Sequence, residues 1–329
     1  MTHFETLVRA SRLYYELGET QEQIAEVLKV TRSRVSRLLK EARAEGIVEI
    51  RINDRTSLEA ETAERLRARF NLRSVHLAPR IDGPEDLNRR MIGRLAADVF
   101  RDFARDGVVV GVGGGGAVSA MIDTMTDVVV RVAATVIPLS GGGMSVPSRD
   151  PVRRLAEAIG GSAHELPAPG LVHDPIARDT LLGHVGVQNI ARLWEQLDIA
   201  IFGIGVHLRS EAWFGTEIIR ELEEAGAIGE VLVAPFDIEG RFVSETLRAR
   251  TIGLDARDLP RVPIRIAIAG GDRKVQPLLG ALRTGVINVL VSDDATVRAV
   301  LELDEAICPP GDAPTRPIPV LTPVRAATR

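Results

Sequence analysis

The chain holds a single cysteine, Cys308, in 329 residues. One thiol excludes an internal disulfide and any zinc site built on cysteine pairs. Histidine is scarce too, six in all, and no two stand at an H-x-x-x-H or comparable spacing, so no resident metal is expected. No apolar run reaches the ~18 residues that a membrane helix needs. The opening residues, with Glu5 among them, contain no apolar stretch of a secretory leader, which leads to the expectation of a cytoplasmic protein. Positive charge is not in excess: the net charge is −4, odd for a protein that coats nucleic acid over its whole surface. That balance fits a compact basic head on a neutral-to-acidic body. With 45% hydrophobic and 26% charged residues the chain can bury a large core, and its length suits two domains.

Between residues 32 and 43 stands a cluster of positive charge with little to oppose it. There Val35, Leu38, Leu39 and Ala42 fall on one face of a helix, while Arg32, Ser33, Arg34, Ser36, Arg37 and Lys40 occupy the other, with no acid before Glu41. An ordinary solvated helix interleaves opposite charges at i,i+4; this one stacks one sign, in residue types that reach phosphates and base edges. A shorter helix from Gln21 to Leu28 precedes it, with Ile24, Ala25 and Leu28 inward and a Thr20–Gln23 capping-box pattern at its start. Small Ala25 lets the second helix cross closely. Together they read as a helix-turn-helix, with Gln21, Thr31, Arg32, Ser33, Arg34, Ser36, Arg37 and Lys40 as the DNA-facing residues. Lys29 stands at the turn position that often holds glycine, so a left-handed backbone is required of a lysine.

A first helix is expected from Phe4 to Leu17, with Tyr14 and Tyr15 closing the head's core in preference to the alternative of contacting DNA backbone. After Gly46 the alternation Ile47-Val48-Glu49-Ile50-Arg51-Ile52 predicts a strand, hence a wing beside the helix pair. A polar helix from Ser57 to Phe70 serves as linker and dimer contact. From Ser74 onward the pattern changes to apolar strands, each followed by a helix. Strands are predicted at 75–78, 108–112, 128–138, 199–205, 264–269 and 287–292. Such runs specify a parallel α/β sheet covered on both faces. The fold class is therefore α/β: a winged helix-turn-helix over residues 1–54, a Rossmann-like parallel-sheet effector domain over 55–310, and a Pro-rich mobile tail over 311–329.

Glycine loops follow several of these strands. Gly111-x-Gly113-x-x-Gly116 matches the dinucleotide fingerprint, but no acid stands about 20 residues on, at the end of the next strand, to hold a ribose. No cofactor is expected. What remains is a row of glycine-rich loops at strand carboxyl ends, where such sheets bind ligands and where backbone amides suit phosphates or sugar hydroxyls; some of these glycines serve tight turns alone. Lys274 is one of only three lysines, the others being Lys29 and Lys40. Beside Gly270-Gly271 it suggests a compact ammonium for a phosphate or carbonyl oxygen, against the plainer reading of a solvated side chain.

The blocks that follow one another here resemble those of the SorC-type (SorC/DeoR-like) sugar-binding transcriptional regulators, over residues 4–305. They are the helix-turn-helix, the loop after Val108-Val109-Val110, Pro138-Leu139-Ser140-Gly141-Gly142-Gly143, and Leu155-Ala156-Glu157-Ala158-Ile159-Gly160 with Leu166-Pro167-Ala168-Pro169. Next come Gly203-Ile204-Gly205, Gly226-Ala227-Ile228-Gly229-Glu230, Phe236-Asp237-Ile238-Glu239-Gly240, Ala269-Gly270-Gly271-Asp272-Arg273-Lys274, and residues 282–291. The resemblance implies an effector domain folded like ribose-5-phosphate isomerase and glucosamine-6-phosphate deaminase, a homo-oligomer (dimer or tetramer), and operator binding controlled by a sugar, polyol or sugar phosphate. It places Gly113, Gly114, Gly115, Gly116 and Lys274 at the ligand's phosphate end and Glu230 with Asp237 near its hydroxyls. Gly141, Gly142, Gly205, Gly270 and Gly271 complete the expected lining. Two departures stand out: Gly116 and Ala117 occupy positions where the family commonly has threonine hydroxyls, and Gly229-Glu230 replaces the usual Gly-Asp. An enzyme of the isomerase or deaminase class carrying a DNA-binding head is the alternative, with Glu230, Asp237 and Lys274 as its acid–base candidates.

Overall fold

The structure, a computed structural model, describes residues 2–48, 57–81, 83–125, 131–142, 150–206 and 215–308. The N-terminal unit is three helices: α1 (His3–Ser11), α2 (Gln21–Leu28) and α3 (Arg32–Ala44). Each begins with a threonine cap. Thr2 and Thr20 make full capping boxes with Glu5 and Gln23, and the Thr31 hydroxyl accepts the Arg34 amide at 3.2 Å. Leu7 and Ala10, Ile24 and Ala25, and Val35, Leu38, Leu39 and Ala42 close a dry core between the three. Lys29 does take the left-handed conformation, φ 53° and ψ 47°, which turns α2 into α3.

Tyr14 and Tyr15 do not close that core. After Ser11 the helix widens into a π-turn over Arg12–Glu16, with the Leu17 amide donating to the Arg12 carbonyl. The wider turn rotates both rings outward, where they meet edge to face at 4.9 Å in partial contact with solvent. The predicted wing rests mostly on residues 49–52, outside the described residues; Ile47 and Val48 pack on the head's core.

The larger unit opens with α4 (Ser57–Arg69) and β1 (Ser74–Ala78), then α5 (Glu85–Phe103), β2 (Val109–Val112), α6 (Gly116–Met125) and β3 (Thr135–Pro138). It continues with α7 (Pro151–Ile159), β4 (Ser162–Ala163), α8 (Pro175–Leu182), α9 (Val185–Trp194), β5 (Ile199–Gly203) and α10 (Thr216–Glu224). The chain then forms a hairpin of β6 (Gly229–Val231) and β7 (Ala234–Phe236), followed by α11 (Glu245–Arg248), β8 (Ile264–Ile268), α12 (Val275–Arg283), β9 (Val289–Asp293) and α13 (Asp294–Ile307). Seven strands make one parallel sheet in the order β1-β9-β8-β5-β2-β3-β4.

Period-two alternation divides each central strand between two cores. Ile199 and Ile201 of β5 and Ile264, Ile266 and Ile268 of β8 face the layer of α5, α6 and α7. Ala200, Phe202, Ala267 and Leu290 face the layer of α4, α12 and α13. Helix α4, expected as a linker and dimer contact, docks on the body itself: Leu66 is fully buried there, while Leu58 is exposed. The hairpin β6–β7 had no sequence signal. Its two turn residues, Leu232 and Val233, both have positive φ (51° and 65°), a conformation usually announced by Asn or Gly. From β2 the chain moves to β3 on one side, and β5 returns on the other. The sheet's topological switch point therefore lies between the carboxyl ends of β2 and β5.

Candidate DNA interface and effector crevice

On α3 the side chains of Arg32, Ser33, Arg34, Ser36, Arg37 and Lys40 are all exposed, as is Thr31, with Gln21 half-buried at the start of α2. The buried stripe behind them fixes the helix, so this face points outward as the spacing predicts. Arg32 is the exception to a purely basic surface: its Nε pairs with Glu22 of α2 at 2.9 Å. An open crevice between the two helix starts is lined by Tyr14, Gly18, Thr20, Gln21, Glu22 and Arg32.

In the body, three of the expected loops meet at the switch point. Gly113 donates to the Ile201 carbonyl at 2.8 Å, closing the strand ladder, and a Cβ there would press on Leu232 and Phe202. Gly114 and Gly115 lie open, with nothing within 4 Å of an added Cβ, and Gly115 has φ 125°. Gly114, Gly115 and Gly116 offer amides with no acceptor among the described residues, at the positive end of the α6 dipole. Gly205, beyond β5, exchanges backbone hydrogen bonds with Glu230 at 2.8 and 3.2 Å, and a Cβ on it would collide with the Glu230 carboxyl group. Glycine here is what lets that carboxyl group lie against the loop.

Lys274 completes the cluster. Its Nζ donates to the Ile204 carbonyl at 2.5 Å, between the glycines of the β5 loop. Burial pushes the ammonium's pKa down, with Glu230 and Glu85 pulling it back up. Burial likewise pushes the Glu230 carboxyl above the ordinary range, opposed by Lys274. Gly270 and Gly271 bring the lysine here: a Cβ on Gly270 would strike Ile92 and the Asp293 carboxylate. Gly271, at φ 100°, donates its amide to Asp293 at 2.9 Å and Thr296 at 2.8 Å. These two glycines are anchors of the loop, Gly270 through its filled space and Gly271 through its committed amide.

Three expected members are placed elsewhere. Asp237 is buried in the turn after β7, where its carboxylate accepts the Arg241 amide and pairs with the Arg241 guanidinium, both at 2.8 Å. That turn packs against Gly280 and Arg283, at the opposite end of α12 from Lys274. Gly141 and Gly142 spend their amides on the Ile252 and Ala168 carbonyls, and a Cβ on Gly141 would strike Pro169. They brace the 166–170 segment instead of opening to the crevice; Gly143 lies outside the described residues. Sequence reasoning missed Arg89 of α5. Its guanidinium lies 3.7 Å from a Cβ built on Gly116, over the first turn of α6, paired with Asp86. It missed Leu232 too, which roofs Gly113. The absent side chain at Gly116, which leaves room for Arg89, was the one available signal.

Residues 54–302 match the family described as "Putative sugar-binding domain", and residues 5–68 match the Crp-like helix-turn-helix domain. The deoxyribonucleoside regulator of Bacillus subtilis is 30% identical over 308 residues, covering 89% of this chain and 96% of that protein. The transcriptional regulator LsrR of Escherichia coli K12 is 28% identical, over 92% and 96%. The crystal structure of the full-length sorbitol operon regulator SorC of Klebsiella pneumoniae superposes with a TM-score of 0.68 at 26% identity, over 90% of this chain and 98% of that one. With the exposed basic helix and the parallel-sheet body, these matches place the chain in the SorC-type family of sugar-binding transcriptional regulators.

Proposed function

We propose that the effector of this regulator is a sugar, polyol or sugar phosphate, and that it seats between the Gly114–Gly116 amides, Gly205, Glu230 and Lys274. The observation that carries this reading is the meeting of Lys274 and Glu230 at the switch point, desolvated and with their pKa values moved in opposite directions. A half-buried ammonium and a carboxyl that has no side-chain hydrogen bond among the described residues are matched to a ligand with several hydroxyls or an oxyanion. Arg89 over the α6 start supplies a guanidinium near where the threonine hydroxyls of relatives are missing, which supports an anionic end on the ligand. The names of relatives, a sorbitol operon regulator and a deoxyribonucleoside regulator, support a polyol or pentose skeleton.

Residues Thr31, Arg32, Ser33, Arg34, Ser36, Arg37 and Lys40, with Gln21 behind them, contact operator duplex. The chain works as a homo-oligomer whose paired heads sit one helical turn of DNA apart. The head spans residues 1–54, the effector unit 55–310, with 311–329 as a tail. A thermal-shift screen of sugars, polyols and their phosphates on the full chain tests the crevice. A true effector raises Tm with the logarithm of its excess over Kd, and Lys274→Met abolishes the shift. A panel in which no compound shifts Tm, or in which Lys274→Met responds undiminished, sinks the assignment.

One feature favours a second reading, that of an isomerase or deaminase: a raised carboxyl and a lowered ammonium side by side are an acid–base pair. Incubating the full chain with pentose and hexose phosphates separates the two, since a regulator returns them unchanged.

A further inference from the structure

Asp304 of α13 is 2% exposed and carries two guanidinium groups from two other helices. Arg69, the last residue of α4, donates its Nε to one carboxylate oxygen at 2.6 Å. Arg283, the last residue of α12, donates Nη2 to the other at 2.6 Å. Both carboxylate oxygens are therefore committed, to a mostly buried Arg283 and to an Arg69 that is about a third exposed.

What lies on the far side of Arg283 gives the arrangement its interest. Its Nη1 donates to the Ile238 carbonyl at 3.0 Å, in the turn directly after the hairpin that carries Glu230. Gly240 of the same turn approaches the Arg283–Thr284 backbone so closely that a Cβ would not fit. At the other end of α12, a rod about 13 Å long, Lys274 reaches into the crevice. Glu230 through its hairpin and Lys274 through its helix thus each have a path to one guanidinium. That guanidinium shares a carboxylate with Arg69, on the first helix of the body, the element that follows the head in sequence. The neighbouring α4–α13 ion pair, Arg65–Glu305 at 2.8 Å, is half-exposed on both sides and touches neither path.

We infer that Arg283–Asp304–Arg69 is the coupling element of this regulator, the contact through which occupancy of the crevice shifts α4 and with it the DNA-binding head. Asp304 and Arg69 are positioning residues: they touch neither ligand nor DNA. The inference rests on the effector reading above, but its test does not need the effector. Coupling between two sites is reciprocal, so DNA at the head must be felt at the crevice.

The probe is a duplex enriched by the full chain itself from a random-sequence pool. Amide hydrogen exchange is followed over residues 229–241 and 274–283 with and without it. Wild type is expected to change its exchange rate there by about threefold or more on binding DNA. Arg69→Gln leaves Asp304 paired with Arg283, so the fold stands; it is expected to bind the duplex within about threefold of wild type yet lose the distant change. Arg65→Gln, the control on the same helix, keeps it. A wild type with no distant response, an Arg69→Gln chain that retains it, or an Arg65→Gln chain that loses it equally, overturns the inference. A failed ligand screen beside an intact DNA-dependent response would instead strike the effector assignment alone.

Discussion

On α3, Arg34, Arg37 and Lys40 stand in solvent, backed by a stripe of buried aliphatic residues that owes nothing to them. In the body, Lys274, Glu230, Asp237 and Asp304 stand wholly or partly inside, and the surrounding backbone is shaped around each. The same chemical groups therefore do different work in the two regions. Exposed charge contributes little to folding and acts through long-range attraction that salt screens. Charge out of water must be matched by a partner or waits for one, so its removal registers in stability as well as in binding.

The largest expected effect lies in the body. Asp237→Ala strips a buried carboxylate from the Arg241 amide and guanidinium and is expected to lower unfolding stability by about 2–3 kcal/mol, read by urea denaturation. A loss under about 0.5 kcal/mol would place Asp237 among the exposed charges instead. Arg37→Ala is the counterpart in the head. Duplex affinity should fall by about 1–3 kcal/mol if the side chain reads guanine, with unfolding unchanged within about 0.5 kcal/mol. Binding should also weaken steeply with added salt. A salt-independent duplex affinity would break the comparison at its root.

Glu230 sharpens it, because its sign is opposite to that of Asp237. A carboxyl whose pKa is raised by burial destabilises the fold once it ionises, so the penalty is present at neutral pH and vanishes below the ordinary carboxylate range. Glu230→Gln is therefore expected to melt higher than wild type at pH 7 to 8, with the advantage gone near about pH 4. Equal Tm values at both pH values would mean that Glu230 is no more desolvated than the arginines of α3.

This contrast also explains what could be read from the sequence. The recognition face needs only periodicity: once Val35, Leu38, Leu39 and Ala42 are seen as one stripe, the rest of the helix must point out, and it does. The parallel sheet is legible for the same reason, since Ile199–Gly203 is apolar on both faces and Ile264–Ile268 is interrupted only by Arg265. The crevice obeys no such period. Gly114 and Gly141 look alike in sequence, yet one opens to solvent and the other is pressed against Pro169. Glu230 and Asp237 are both candidates in sequence, but the hairpin between them, turned by Leu232 and Val233, puts one beside Lys274 and the other at the far end of α12. Long-range pairings decide these outcomes, and nothing local to either residue encodes them.

The smallest expected effect tests whether charge in the head is as independent as it looks. Arg32 opens the recognition helix but is paired with Glu22 at 2.9 Å, both side chains mostly exposed. As a surface pair it adds little stability, so Glu22→Gln should leave unfolding unchanged within about 0.5 kcal/mol. Its effect on DNA has two parts of opposite direction. Removing an acid beside the α3 start relieves repulsion from phosphates, which raises affinity for a scrambled duplex about two- to threefold. Freeing Arg32 from its tether lets a long side chain sample more rotamers, which costs affinity wherever one orientation must meet one base edge. The ratio of enriched-duplex to scrambled-duplex affinity should therefore fall although scrambled binding improves. If both affinities rise by the same factor, Glu22 acts as background charge, and Arg32 belongs with the solvated residues that position the helix without reading sequence.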